Sequence, residues 1–163
     1  MTDTSEAPEL HRAGLLPRGA EVYPVFRTLS SEPFDAGALA ERFGIRPSAV
    51  WRHGEPDDFD EISTESGFSL SFGKTPSETV AFDRCISFLS TQGPLLAALR
   101  SLGASNTMDF GLMVEASISS PAALRFPDEL LKLLLDTGTR LMLTHYITSL
   151  APRKVVKWVD ESS

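Results

Sequence analysis

A single cysteine, Cys85, stands among 163 residues, so no disulfide can form within the chain. Packing must hold the core instead, and a chain of this length buries roughly 70% of its unfolded surface without covalent help. Long hydrophobic runs are also missing. The most apolar stretch, Leu130 to Leu135, is interrupted by Lys132 and is far short of the ~20 residues of a spanning helix. The opening Met1-Thr2-Asp3-Thr4-Ser5-Glu6 has neither the basic nor the apolar segment of a secretory signal. Together with the lone thiol, this predicts a cytoplasmic protein with no membrane partner.

Positive charge is scarce too. Lys and Arg number 15 against 22 Asp and Glu, giving a net charge of -7 and a pI near 4.9. Binding to a phosphate backbone depends on clustered cations that release counterions. Here the basic residues are scattered, which argues against nucleic acid as partner. Acidity of this size ordinarily serves solubility; its functional reading is a basic protein partner. The three histidines, His11, His53 and His145, lack metal-ligand spacing. No G-x-G-x-x-G, G-K-S/T or G-x-S-x-G motif occurs. No cofactor and no metal is expected.

What is present is periodicity. Residues 1–20 are polar, broken by Gly14, Pro17 and Gly19, and read as a flexible leader. Glu21 to Leu29 is rich in β-formers, with Pro24 expected near the start of the strand or on an unpaired side. Asp35 to Phe43 reads as a short helix, with Asp35 as N-cap and Gly44 as its stop. Ala49 to His53 and the alternating Phe68, Leu70 and Phe72 read as strands. Thr75-Pro76-Ser77-Glu78 has the form of a capping box, with Thr75 as N-cap. It opens a helix whose stripe is Phe82, Cys85, Ile86 and Leu89, broken at Gly93-Pro94 and resumed over Leu95 to Leu102. Met108 to Ile118 alternates most clearly of all. Pro127-Asp128-Glu129 begins a leucine-rich helix that ends at Gly138, and Arg140 to Thr148 is the last strand. Residues 21–150 thus form one α+β domain, and residues 151–163 a tail. The order β-α-β-β-α-β matches a ferredoxin-like split βαβ core, extended by a C-terminal helix and strand, with helices on one face of the sheet.

Phe43-Gly44-Ile45-Arg46-Pro47-Ser48, followed by Arg52-His53-Gly54-Glu55, carries a resemblance. It is similar to the small bacterial family known as domain of unknown function four-two-seven-nine. That family has a glycine-ended helix, an Ile-x-Pro-Ser/Thr turn, an Arg-x-Gly-acid step and a Gly-aromatic strand, here Gly67-Phe68. The close of the family pattern corresponds to Leu141-x-Leu143-x-x-Tyr146, and the likeness spans Val22 to Thr148. By analogy, the resemblance implies an immunity-like or partner-binding role.

Among candidate sites, Trp51-Arg52-His53-Gly54-Glu55 combines an aromatic anchor, a bidentate donor and two polar contacts. The same residues describe a strand end with one buried aromatic and a turn glycine. From Glu55 to Glu65 lie Glu55, Asp57, Asp58, Asp60, Glu61 and Glu65, with no Lys or Arg from His53 to Gly73. As a calcium loop counted from Asp58 the run fails, because Ile62, Ser63 and Ser69 replace the fifth ligand, the central glycine and the closing glutamate. It reads as a solvated loop, or as a lure for a basic partner. Cys85, on an apolar stripe, reads as a buried structural thiol.

Two functions from different classes remain. One is a noncatalytic protein-binding domain, immunity- or inhibitor-like, that uses the Trp51 to Glu55 cluster and the acidic run. The alternative is a small-molecule sensor or carrier, in which Arg52, His53 and Tyr146 hold an anion. An enzyme, with His53 and Glu55 as its polar pair, is the third class. An exposed edge strand would also permit a homodimer.

Overall fold

Alternation sets the central strand. In β1 (Glu21–Ser30) every second residue from Val22 is buried, while Tyr23, Val25, Arg27 and Leu29 on the other face are half-buried. The computed structural model describes residues 16–56, 61–115 and 123–148. Within them follow α1 (Ala36–Arg42), β2 (Ala49–Trp51), β3 (Ser66–Ser71), α2 (Glu78–Thr91), α3 (Gly93–Ser101), β4 (Ser105–Glu115), α4 (Asp128–Asp136) and β5 (Arg140–Thr148).

The architecture is α+β, a five-stranded mixed sheet in the order β2-β3-β1-β4-β5. The β2–β3, β3–β1 and β1–β4 pairs are antiparallel, and β5 is added parallel to β4. That parallel pair needs a crossover, which α4 supplies. Pro24 sits one residue before the β1–β3 ladder begins at Val25, so its missing N–H falls at the ladder's end.

One core fills the side of the sheet that carries Val22, Phe26, Phe68, Met108, Phe110 and Leu112. Helix residues Ala36, Ala40, Phe82, Cys85, Phe88, Leu89, Leu95, Leu99 and Leu130 close over it. Phe88 stacks on Phe26 at 4.9 Å between ring centroids, and Phe82 meets Phe110 at 5.6 Å edge-on, the tilted geometries that aromatic quadrupoles prefer. Tyr23, Val25, Leu29 and Met113, on the opposite face, take no part in this cluster.

Several boundaries differ from the sequence expectation. The core begins before Glu21, since Ala20 is buried and Leu16 packs against the cluster. The N-cap of α2 is Ser77, not Thr75: Ser77 Oγ accepts from Val80 N at 3.3 Å. Thr75 is committed elsewhere, because its backbone exchanges bonds with Val22 at 2.8 and 2.9 Å, which holds it extended. The second strand stops at Trp51 rather than at His53. A turn closes there through Glu55 N to Arg52 O at 3.0 Å, with Gly54 at φ 83°, a backbone that favours glycine. The fourth strand starts earlier, at Ser105. The expected continuation over 116–118 lies outside the described residues, as do most of the expected leader and all of residues 151–163.

Candidate functional site

The candidate site grows from the short strand β2. Trp51 is half-buried and stands opposite Gly67 on β3. That glycine is forced by space, because a Cβ on it would collide with the Thr28 carbonyl oxygen and stand 3.0 Å from the carbonyl carbon. β3 therefore lies close against β1, and the β3 residue paired with Trp51 carries no side chain.

Beyond Trp51 the chain turns out of the sheet and returns as the arm of a hairpin. Gly54 N donates to Ser63 O at 2.8 Å, Ser63 N donates to Glu55 O at 2.9 Å, and Pro56 bridges to Ile62. Ser63 Oγ then caps its own turn, donating to Glu65 O at 2.9 Å. Ser66, almost fully buried, ties the hairpin to the body. Its Oγ accepts from Phe34 N at 3.2 Å and from His53 N at 3.3 Å. One hydroxyl thus joins the loop before α1 to the turn after β2.

Three shallow clefts meet on this hairpin. The first, about 310 Å³, is lined by Ser48, Val50, Trp51, Arg52, Glu55 and Ser63. A second, about 490 Å³, runs from Phe34 and Asp35 to Arg52, His53, Glu55 and Ser66. A third, about 350 Å³, lies between Leu29, Trp51 and residues 61–65. Arg52 and Glu55 pair at 3.6 Å with more than half of each side chain exposed, so the bond is a solvated contact of small energy. The Arg52 guanidinium reaches the start of α1, lying 3.7 Å, an ordinary contact distance, from where a Cβ on Gly37 would stand. Asp35 Oδ1 is occupied as N-cap, accepting from Ala38 N at 2.9 Å.

Trp51, Arg52, His53, Glu55 and Glu61 are therefore gathered on one hairpin. Asp57, Asp58 and Asp60 fall outside the described residues. Tyr146 is not part of this group. β2 and β5 are opposite edges of the sheet, four strand spacings or ~19 Å apart, so Arg52, His53 and Tyr146 do not assemble one anion site. The ring of Tyr146 lies instead across Gly111 of β4, its Cε2 3.1 Å from where a Cβ would stand.

Sequence reasoning missed Ser63 and Ser66, which join the site through hydrogen bonds to residues distant in the chain, and Asp35, which joins it only by lining a cleft. It also missed Asp109, a buried carboxylate on the helix-free face whose two oxygens accept from Thr144 Oγ1 at 2.8 and 3.0 Å. Only the register of β4 with β5 brings that pair together. Cys85 is buried, and burial pushes its thiol up to about 12, with Arg84 pulling weakly the other way. Among the described residues no three His, Cys, Asp or Glu side chains gather as metal ligands, and no helix is long and apolar enough to cross a membrane.

No protein-family model matches the chain, and neither a curated protein nor a solved structure gives a significant match to it.

Proposed function

We propose that this chain is a noncatalytic protein-binding domain whose partner is basic and docks on the hairpin that follows β2. One observation carries the reading. The paired neck from Gly54 to Ser63 holds Glu55 and Glu61 in clefts that the half-buried Trp51 also lines. An aromatic anchor with a polar rim is the usual make-up of an interface centre, and the net charge of -7 would speed encounter with a cationic surface. The exposure of the Arg52–Glu55 pair also favours binding over catalysis, which needs preorganised groups shielded from water.

Other parts of this reading rest on separate observations. The order β2-β3-β1-β4, antiparallel throughout, supports a ferredoxin-like core extended by α4 and β5. Gly44 and Gly54 have φ of 69° and 83°, and Gly67 has no room for a side chain. The glycines on which the likeness to domain of unknown function four-two-seven-nine is drawn thus sit where the backbone demands them. A buried free thiol at Cys85 suits a reducing cytoplasm.

The test is capture from the source cell at low and high salt, with the wild-type chain and with Trp51→Ala. A partner released by salt and lost with Trp51→Ala supports the proposal. Capture that ignores both changes sinks it.

A further inference from the structure

The two edges of the sheet are unlike. β2 has three residues and runs directly into the hairpin, whereas β5 has nine residues and no strand on its outer side among the described residues. Long free edges present unpaired N–H and C=O groups, and proteins blunt them with charge, proline or bulges. β5 reads Arg-Leu-Met-Leu-Thr-His-Tyr-Ile-Thr, with one formal charge and no proline. Its pairing to β4 runs without a bulge from Arg140 to Thr148. Both of its faces are apolar and open: Leu141, Leu143 and Ile147 are exposed on one side and Met142 and Tyr146 on the other, Ile147 to 73%. The neighbouring helix α4 adds exposed Leu131 and Leu135.

We infer that β5 pairs with β5 of a second copy of this chain, antiparallel about a two-fold axis through Thr144, joining the two sheets into one of ten strands. The strand is complementary to itself in that register. Thr144 is the middle residue of Arg140–Thr148, so all nine residues overlap. Side chains directly opposite are then Leu141 with Ile147, Met142 with Tyr146, and Leu143 with His145. These cross-strand pairs are mostly apolar, as the unit of sheet stability requires, and no like charges face each other.

Charge complementarity selects the same register. Arg140 would stand opposite Thr148 of the second copy, and Thr148 is itself beside Glu115 on β4. Arg140 and Glu115 of the second copy share the helix-free face, two strand spacings or ~10 Å apart at the backbone, within reach of a long guanidinium side chain and a carboxylate. The two-fold axis makes this contact twice. The hairpins after β2 remain free, at the two far ends of the joined sheet.

Sedimentation of the purified full-length chain over a range of concentrations tests the inference. The wild type is expected to be a dimer. Ile147→Lys, at an exposed position, should raise the dissociation constant at least about tenfold while leaving the circular dichroism spectrum unchanged. Arg140→Glu and Glu115→Arg should each weaken the dimer, and the two together should restore it, since the pair is reversed in sign. A wild type that stays monomeric at the highest soluble concentration overturns the inference, including a monomer whose β5 amides are protected from hydrogen exchange by some other segment. So does a dimer indifferent to Ile147→Lys, or a double variant no tighter than either single one.

Discussion

Thr28 and Asn106 stand opposite each other on β1 and β4, both turned into the core, and neither Thr28 Oγ1 nor the Asn106 amide meets a hydrogen-bond partner among the described residues. A buried polar group without a partner costs free energy that an apolar group of the same shape does not. Thr28→Val, which keeps the shape, should therefore raise stability by about 1 kcal/mol. Denaturant unfolding reads this directly, and a loss of similar size would show that the hydroxyl is engaged.

Gly67 supplies a sharper contrast. Its Cβ would run into the Thr28 carbonyl and stand 3.1 Å from Leu29 Cα. These are backbone atoms of the central strand and cannot step aside cheaply. Gly67→Ala should cost about 3 kcal/mol, the upper range for overpacking. Gly93, at the start of α3, has nothing within 4 Å of the same position, and Gly93→Ala should be neutral or mildly stabilising. Equal costs at the two glycines would contradict the tight approach of β3 to β1.

Ser66 holds the candidate site by one oxygen. Ser66→Ala leaves the Phe34 and His53 amides without their acceptor, at a cost of about 1–3 kcal/mol for groups that stay buried. Local opening should follow. Hydrogen exchange at the His53 amide is expected to speed up, while amides in the middle of β4 exchange as before.

Cys85 gives the pH prediction. Burial raises its thiol from 9.0 to about 12, so the native thiol should ignore thiol reagents at neutral pH and react once the chain unfolds. A raised folded value contributes stability that is whole below the unfolded value of 9.0 and is lost as pH climbs towards about 12. Cys85→Ala should lower stability at neutral pH through the cavity it leaves. Its alkaline decline between 9.0 and about 12 should nevertheless be shallower than that of the wild type. Parallel declines would remove the thiol from the account.

Much of the secondary structure was legible because it is local. Met108, Phe110, Leu112 and Val114 alternate into the core as a half-buried strand must, and Asp35 caps α1 as its position before Ala36 suggests. The cap of α2 was misread because the Thr-Pro-Ser-Glu spacing does not reveal that Thr75 is bridged to Val22, a partner far away in sequence. The same limit governs the site. Trp51 to Glu55 are neighbours by chain connection alone, so their grouping needed no fold to foresee it. Ser66 joins them through the His53 amide, and Tyr146 is removed from them by strand order. Both outcomes are decided by pairing between distant segments, for which short windows of residues hold no signal.

The position of β1 has a consequence for synthesis. It is the middle strand, and its two neighbours are Ser66–Ser71 and Ser105–Glu115. Of the five strands a nascent chain therefore releases its central one first, and that strand must wait for β3 and then β4 before both edges are occupied. Loop closure precedes reward in such a topology, which slows folding relative to helical proteins of equal size. During that interval Val22, Tyr23, Val25 and Phe26 are open to mispairing, so growth temperature and translation rate should govern the yield of soluble protein.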